Sequence, residues 1–103
     1  MKLIKKLEAA IEDEIESIES YAKMAIDVKA EHPQLAQALY TISMQEDAHQ
    51  STLHAEIVKL IENYRKTHGE PPAAMMAVYE YLHNRHIEEL AEARQYQNMY
   101  KDM

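Results

Sequence analysis

The chain has one glycine and three prolines, and they fall in only two places. Pro33 follows Glu31-His32, and Gly69-Glu70 leads into Pro71-Pro72. Sheets need frequent turns, and turns draw on Gly, Pro, Asn and Asp. Here the long stretches between the two junctions are dominated by Ala, Glu, Leu, Ile, Met and Lys, so the sequence predicts an all-α fold. Three helices are expected, over about residues 2–30, 33–67 and 73–101. Pro33 fits the first turn of the second helix, where its missing N–H costs nothing. Arg65, Lys66 and His68 favour that helix's C-terminus, with Gly69 as its cap. The first connection spans only a few residues, so helices one and two are expected to form an antiparallel hairpin.

At 103 residues there is room for a single domain, taken as 1–103. Three long helices make a thin bundle, so the core is expected to be completed by a second copy of the chain, as a homodimer or higher homo-oligomer. Seven tyrosines and no Phe or Trp suit a core with polar groups in reach of the hydroxyls. The net charge of −7 argues against nucleic acid, whose phosphates need a basic surface. No apolar stretch is long enough to span a membrane, and Lys2, Lys5 and Lys6 lead into Glu8 without the apolar core of a signal peptide. The absence of cysteine excludes thiolate chemistry. A cytoplasmic protein is the expectation.

Alternating steps of four and three trace an inward stripe on helix one through Leu7, Ile11, Glu14, Ile18, Tyr21 and Ala25. On helix two the stripe reads Leu35, Leu39, Ile42, Glu46, His49 and Leu53, then drifts to Ile57 and Leu60. Three polar residues interrupt these stripes: Glu14, Glu46 and His49. Carboxylates in a seam pay desolvation and raise each other's pKa, and a divalent cation between them removes both penalties. His49, one turn beyond Glu46, adds a neutral nitrogen donor.

Singly, each of these residues has a plain structural account. A seam Glu snorkels or sets register, and a core His is usually just hydrogen-bonded. Together they say more, because Glu14 lies about as far before the hairpin turn as Glu46 and His49 lie after it. Di-iron bundles use a Glu from each of two helices and a Glu-x-x-His from each of the other two. Glu14 plus Glu46-Asp47-Ala48-His49 is half of that set, and two copies supply the whole.

The spacing Glu14, Tyr21, Glu46-x-x-His49 resembles the half-motif of the ferritin-like superfamily, in particular its rubrerythrin and encapsulated-ferritin branches. The likeness runs through Asp13-Glu14-Ile15-Glu16, Tyr21-Ala22 and Pro33 to His49, about half of the chain. It implies a ferritin-like antiparallel hairpin plus a third helix, with a four-helix-bundle core completed by dimerisation. It also implies a di-iron centre shared between subunits, with manganese as an alternative metal. Glu14, Glu46 and His49 would be the ligands, Glu46 bridging, with Tyr21 beside the site and Asp13 and Glu16 on a route for incoming ions. The implied chemistry is binding of Fe(II) and its oxidation by oxygen or peroxide. Rubrerythrins carry two half-motifs per chain, whereas encapsulated ferritins build the site from two short chains, which suits this length better. The final Tyr100-Lys101-Asp102-Met103 lacks a Gly- and Leu-containing docking peptide, which argues against packaging inside a shell.

The rival expectation is a non-catalytic helical assembly or interaction module, with a vestigial or structural metal site. Helix three repeats the Glu-x-x-His spacing at Glu80 and His83, and carries His86. Its apolar stripe (Met75, Val78, Tyr79, Leu82, Leu90, Ala93) leaves Glu80 and His83 toward the edge. His32, His54 and His68 are expected to face solvent or sit near helix ends. The acidic run from Glu8 to Glu19 is expected to be a solvated face apart from Asp13 and Glu16, with Glu12 pointing outward.

Overall fold

A computed structural model describes residues 2–103. Those residues form three α-helices and no strand: α1 (Lys2–Val28), α2 (Pro33–His68) and α3 (Ala73–Asp102). Val28 ends α1 two residues before the expected boundary, because its carbonyl accepts the His32 N–H at 2.7 Å and turns the chain. Pro33 then opens α2 as expected. At the far junction the Gly69 N–H donates to the Arg65 carbonyl at 3.1 Å. Gly69 has φ 81° and ψ −162°, a backbone region essentially reserved for glycine. Among the described residues, no helix is long and apolar enough to cross a membrane.

The molecule is a rod of 56 × 19 × 18 Å, its length set by the 36 residues of α2 at about 1.5 Å each. α1 and α2 form the antiparallel hairpin, and α3 lies in the groove along one side of it. The buried stripe of α1 is Ile4, Glu8, Ile11, Ile15, Ile18, Ala22 and Ala25, an unbroken four–three repeat. It meets Ile57 and Ile61 of α2 and Ala93 of α3 in the main core, with Leu7, Leu53, Leu60, Met76, Tyr79 and Leu90 packed around them. Near the hairpin turn a smaller core gathers Ala25, Ala36 and Tyr100.

This corrects the expected phase of both stripes. On α1 the core takes Ile4, Glu8, Ile15 and Ala22, while Leu7, Glu14 and Tyr21 are only half-buried on one flank. On α2 the buried positions are Ala36, Ser43, Gln50 and Ile57, each seven residues apart, then Ile61. Leu39, Ile42, Glu46 and Leu53 lie half-buried beside that line. The apolar arc of each hairpin helix is wide enough for two contacts. α3 fills one groove between α1 and α2; Ile11, Ile18, Ala25 and Ile57 of the expected stripes lie in the core, and Leu7, Glu14, Tyr21, Leu39, Ile42, Glu46 and Leu53 run along the other flank.

Candidate metal centre

Helical phase places Glu14 about 70° from the centre of the α1 stripe, on the side away from the Glu8 and Glu12 contacts with α3. Glu46 and His49 occupy the matching flank of α2, and the antiparallel register brings the three level. The register is pinned beside them, where the buried Ser43 Oγ donates to the Ile18 carbonyl at 2.7 Å. His49 Nδ1 stands 3.7 Å from Glu14 Oε2 and 3.7 Å from Glu46 Oε2. One donor atom from each residue lies within 4.8 Å of the others. Among the described residues, no other group of three or more His, Cys, Asp or Glu meets that condition.

Those separations are too long for hydrogen bonds and suit a shared cation. Donor atoms about 2.1 Å from one ion lie about 3–4 Å apart, so small rotamer changes close the set. Glu14 Oε2 is inaccessible to water and has no hydrogen-bond partner. A buried carboxylate oxygen without a donor is costly unless a cation satisfies it. The exposures are graded, with the Glu14 and Glu46 side chains 24% exposed and His49 60% exposed. In one chain the group is therefore the floor of an open face. Along that face lie the half-buried Leu7, Tyr21, Leu39, Ile42 and Leu53, with the more exposed Leu3 and Leu35 toward its ends. Asp13 and Glu16 are exposed and line an open groove with Ser17, Ser20, Tyr21 and Met24.

α3 supplies none of this group's donors. Glu80 is exposed. His83 stacks on His54, ring centroids 4.5 Å apart, so His54 is half-buried at the α2–α3 contact instead of facing solvent. Burial, helped by His83 and His86 nearby, lowers the His54 pKa. Val78, placed in the expected α3 stripe, is 52% exposed because the helix turns its His86, Ala93, Gln97 and Tyr100 line inward.

Two polar clusters escaped the sequence reading. On α1, Glu8 is 5% exposed and belongs to the core stripe, which overturns the expectation of a solvated acidic face there. Its Oε2 lies 3.1 Å from His86 Nδ1, and His86 Nε2 lies 2.9 Å from Glu12 Oε2. Glu8 Oε2 is shielded from water and, despite the nearby ring, makes no hydrogen bond. Burial pushes the Glu8 carboxyl up, and the adjacent His86 opposes that. Glu12 is half-buried against His86 and so does not point outward as expected; burial first and then its hydrogen bond to Glu89 push its carboxyl up. The signal available in the sequence was Glu8's place in the Ile4, Glu8, Ile11, Ile15 repeat.

The second cluster lies behind the metal ligands. Arg94 grips Asp47 with both ends of its fork, Nε to Oδ2 at 2.9 Å and Nη2 to Oδ1 at 2.7 Å. The Gln50 Nε2 donates to Asp47 Oδ1 at 3.1 Å, and the Gln97 Nε2 donates to Ser43 Oγ at 3.0 Å. The Arg94 hydrogen bonds hold the Asp47 carboxyl below its usual range, with burial opposing and Gln50 assisting. Spacing alone gives no warning of the Arg94–Asp47 and Gln97–Ser43 contacts, which join residues 47 and 54 apart in sequence. No family model, curated protein or solved structure matches this chain.

Proposed function

We propose that this chain is a di-iron carboxylate protein that binds Fe(II) and oxidises it, at a site assembled from two copies of the hairpin. The observation that carries the proposal is the convergence of Glu14, Glu46 and His49 on one open face, with Glu14 Oε2 desolvated and unpartnered. Carboxylates with imidazole suit iron or manganese. Each chain offers three donors, and a pair related by a two-fold axis offers four carboxylates and two imidazoles. The open face favours the same pairing. Its half-exposed Leu3 and Leu35 lie toward the ends, the ligands in the middle, so a second hairpin laid against it buries apolar surface and closes the site together.

In this reading Glu14, Glu46 and His49 of each chain would together hold the metal pair. Tyr21 stands beside the site, while Asp13 and Glu16 attract incoming cations to the adjoining groove. When bound, the metal pair would supply one-electron redox chemistry toward oxygen or peroxide.

Fe(II) oxidation followed by ferric absorbance and by oxygen uptake tests the proposal. The wild-type chain should accelerate oxidation above the protein-free rate, and Glu46→Ala should return it to that rate with helicity unchanged. Accumulation of metal without any oxidation would favour a structural metal site in an assembly module. Full activity in Glu46→Ala would show that the wrong carboxylate has been chosen.

A further inference from the structure

We infer that Arg94 is a positioning residue for the metal ligands on α2, so that α3 sets the metal affinity of a site to which it gives no donor. The inference rests on the metal reading above. Asp47 and Gln50 directly follow the ligands Glu46 and His49, and each projects about 100° further round the helix, toward α3. Arg94 holds Asp47 in two hydrogen bonds of 2.7 and 2.9 Å, and Asp47 in turn accepts from Gln50. One turn earlier, Gln97 donates to Ser43, which donates to the Ile18 carbonyl of α1. Two positions of α2, Ser43 and Asp47, are thus tied to other helices at the level of the site, and Gln50 braces Asp47 from within α2.

This level is where α2 has least apolar anchoring. Its buried apolar residues lie toward the ends, Ala36 in the smaller core and Ile57 and Ile61 in the larger one. Between them the buried positions are Ser43 and Gln50. The rotation of α2 about its own axis is therefore fixed here by hydrogen bonds. Donor atoms sit about 6 Å from the helix axis, so a rotation of about 10° displaces them by about 1 Å. Metal–ligand distances tolerate only about 0.2 Å. A bidentate Arg–carboxylate pair fixes orientation as well as distance, which a lysine cannot do.

Co(II) is a suitable probe, since its visible absorption reports coordination geometry and titration reports affinity. Arg94→Lys keeps the charge and loses the fork. It should bind Co(II) about 10–100-fold more weakly than wild type, with a changed spectrum, the range typical for residues that orient metal ligands. Asp47→Asn should do the same with a smaller steric change. The charge swap Asp47→Arg with Arg94→Asp should recover most of the loss. Arg85→Lys is the control, because Arg85 makes an equally short 2.7 Å contact to Glu89 without reaching α2. It should bind as wild type does. Wild-type affinity and spectrum in Arg94→Lys and Asp47→Asn would overturn the inference and leave the metal reading standing, as would an equal loss in Arg85→Lys. A wild-type chain that does not bind Co(II) would overturn the metal reading, and this inference with it.

Discussion

Ser43→Ala removes a hydroxyl that is fully buried and makes two hydrogen bonds, donating to Ile18 at 2.7 Å and accepting from Gln97 at 3.0 Å. Gln97 is itself 5% exposed, so its amide loses an acceptor that water cannot easily replace. An orphaned buried donor costs about 1–3 kcal/mol. Alanine returns roughly 0.5 kcal/mol through its better helix propensity. The net loss is about 1–2 kcal/mol, a fall in Tm of roughly 5–15 °C for a domain of this size. Adding Gln97→Leu removes the orphan, and replacing both partners by apolar groups is close to neutral, so the double variant should regain most of the loss. Heat and urea melts of the metal-free protein, at one fixed concentration so that assembly contributes equally, measure the cycle. A neutral Ser43→Ala, or a double variant no better than the single, would refute the claim that this buried chain of hydrogen bonds holds the three helices in register.

Ile18 is completely buried in the main core, so Ile18→Ala should cost about 2–5 kcal/mol by denaturant titration. A loss under about 1 kcal/mol would place the core elsewhere. Asp47 is held below the ordinary carboxylate range by Arg94, so its contribution is present above its unfolded pKa and disappears as pH falls through the lowered value. Asp47→Asn should lack that part of the acid melt profile. Glu8 runs the other way: burial raises it, so its contribution is complete below its unfolded pKa and disappears as pH rises through the raised value. Glu8→Gln should remove that loss of stability at rising pH, and an unchanged profile would mean that Glu8 is not desolvated. Leu3→Glu with Leu35→Glu puts charge at two half-exposed apolar sites of the open face. Light scattering should then report monomers with normal helicity and weakened metal binding; an unchanged oligomer would place the interface on another surface.

The three helices and their junctions were legible because Pro33, Gly69 and the Pro71-Pro72 pair act locally, through φ restriction and missing N–H groups. The meeting of Glu14 with Glu46 and His49 was legible for a related reason. A short turn makes the hairpin antiparallel, and counting outward from it gives the level. What hydrophobic periodicity did not resolve was which of two contacts each stripe made. Leu7, Glu14 and Tyr21 lie one position from Glu8, Ile15 and Ala22, and only α3's placement decides which set is buried. On α2 the core line includes Ala36, Ser43 and Gln50, small or polar residues that no apolar stripe marks. The Glu8–His86 and Asp47–Arg94 pairs depend on how α3 registers against the hairpin, which is set by packing and not by any spacing within one helix.

Native mass spectrometry of the chain loaded anaerobically with Fe(II) tests the central claim most directly, because it reads assembly and metal content in one spectrum. A site split between two copies predicts iron only in dimers or larger even-numbered assemblies, one ion per chain, with Glu14→Ala losing it. Iron on a monomeric chain, or dimers that form and never take up iron, would contradict it.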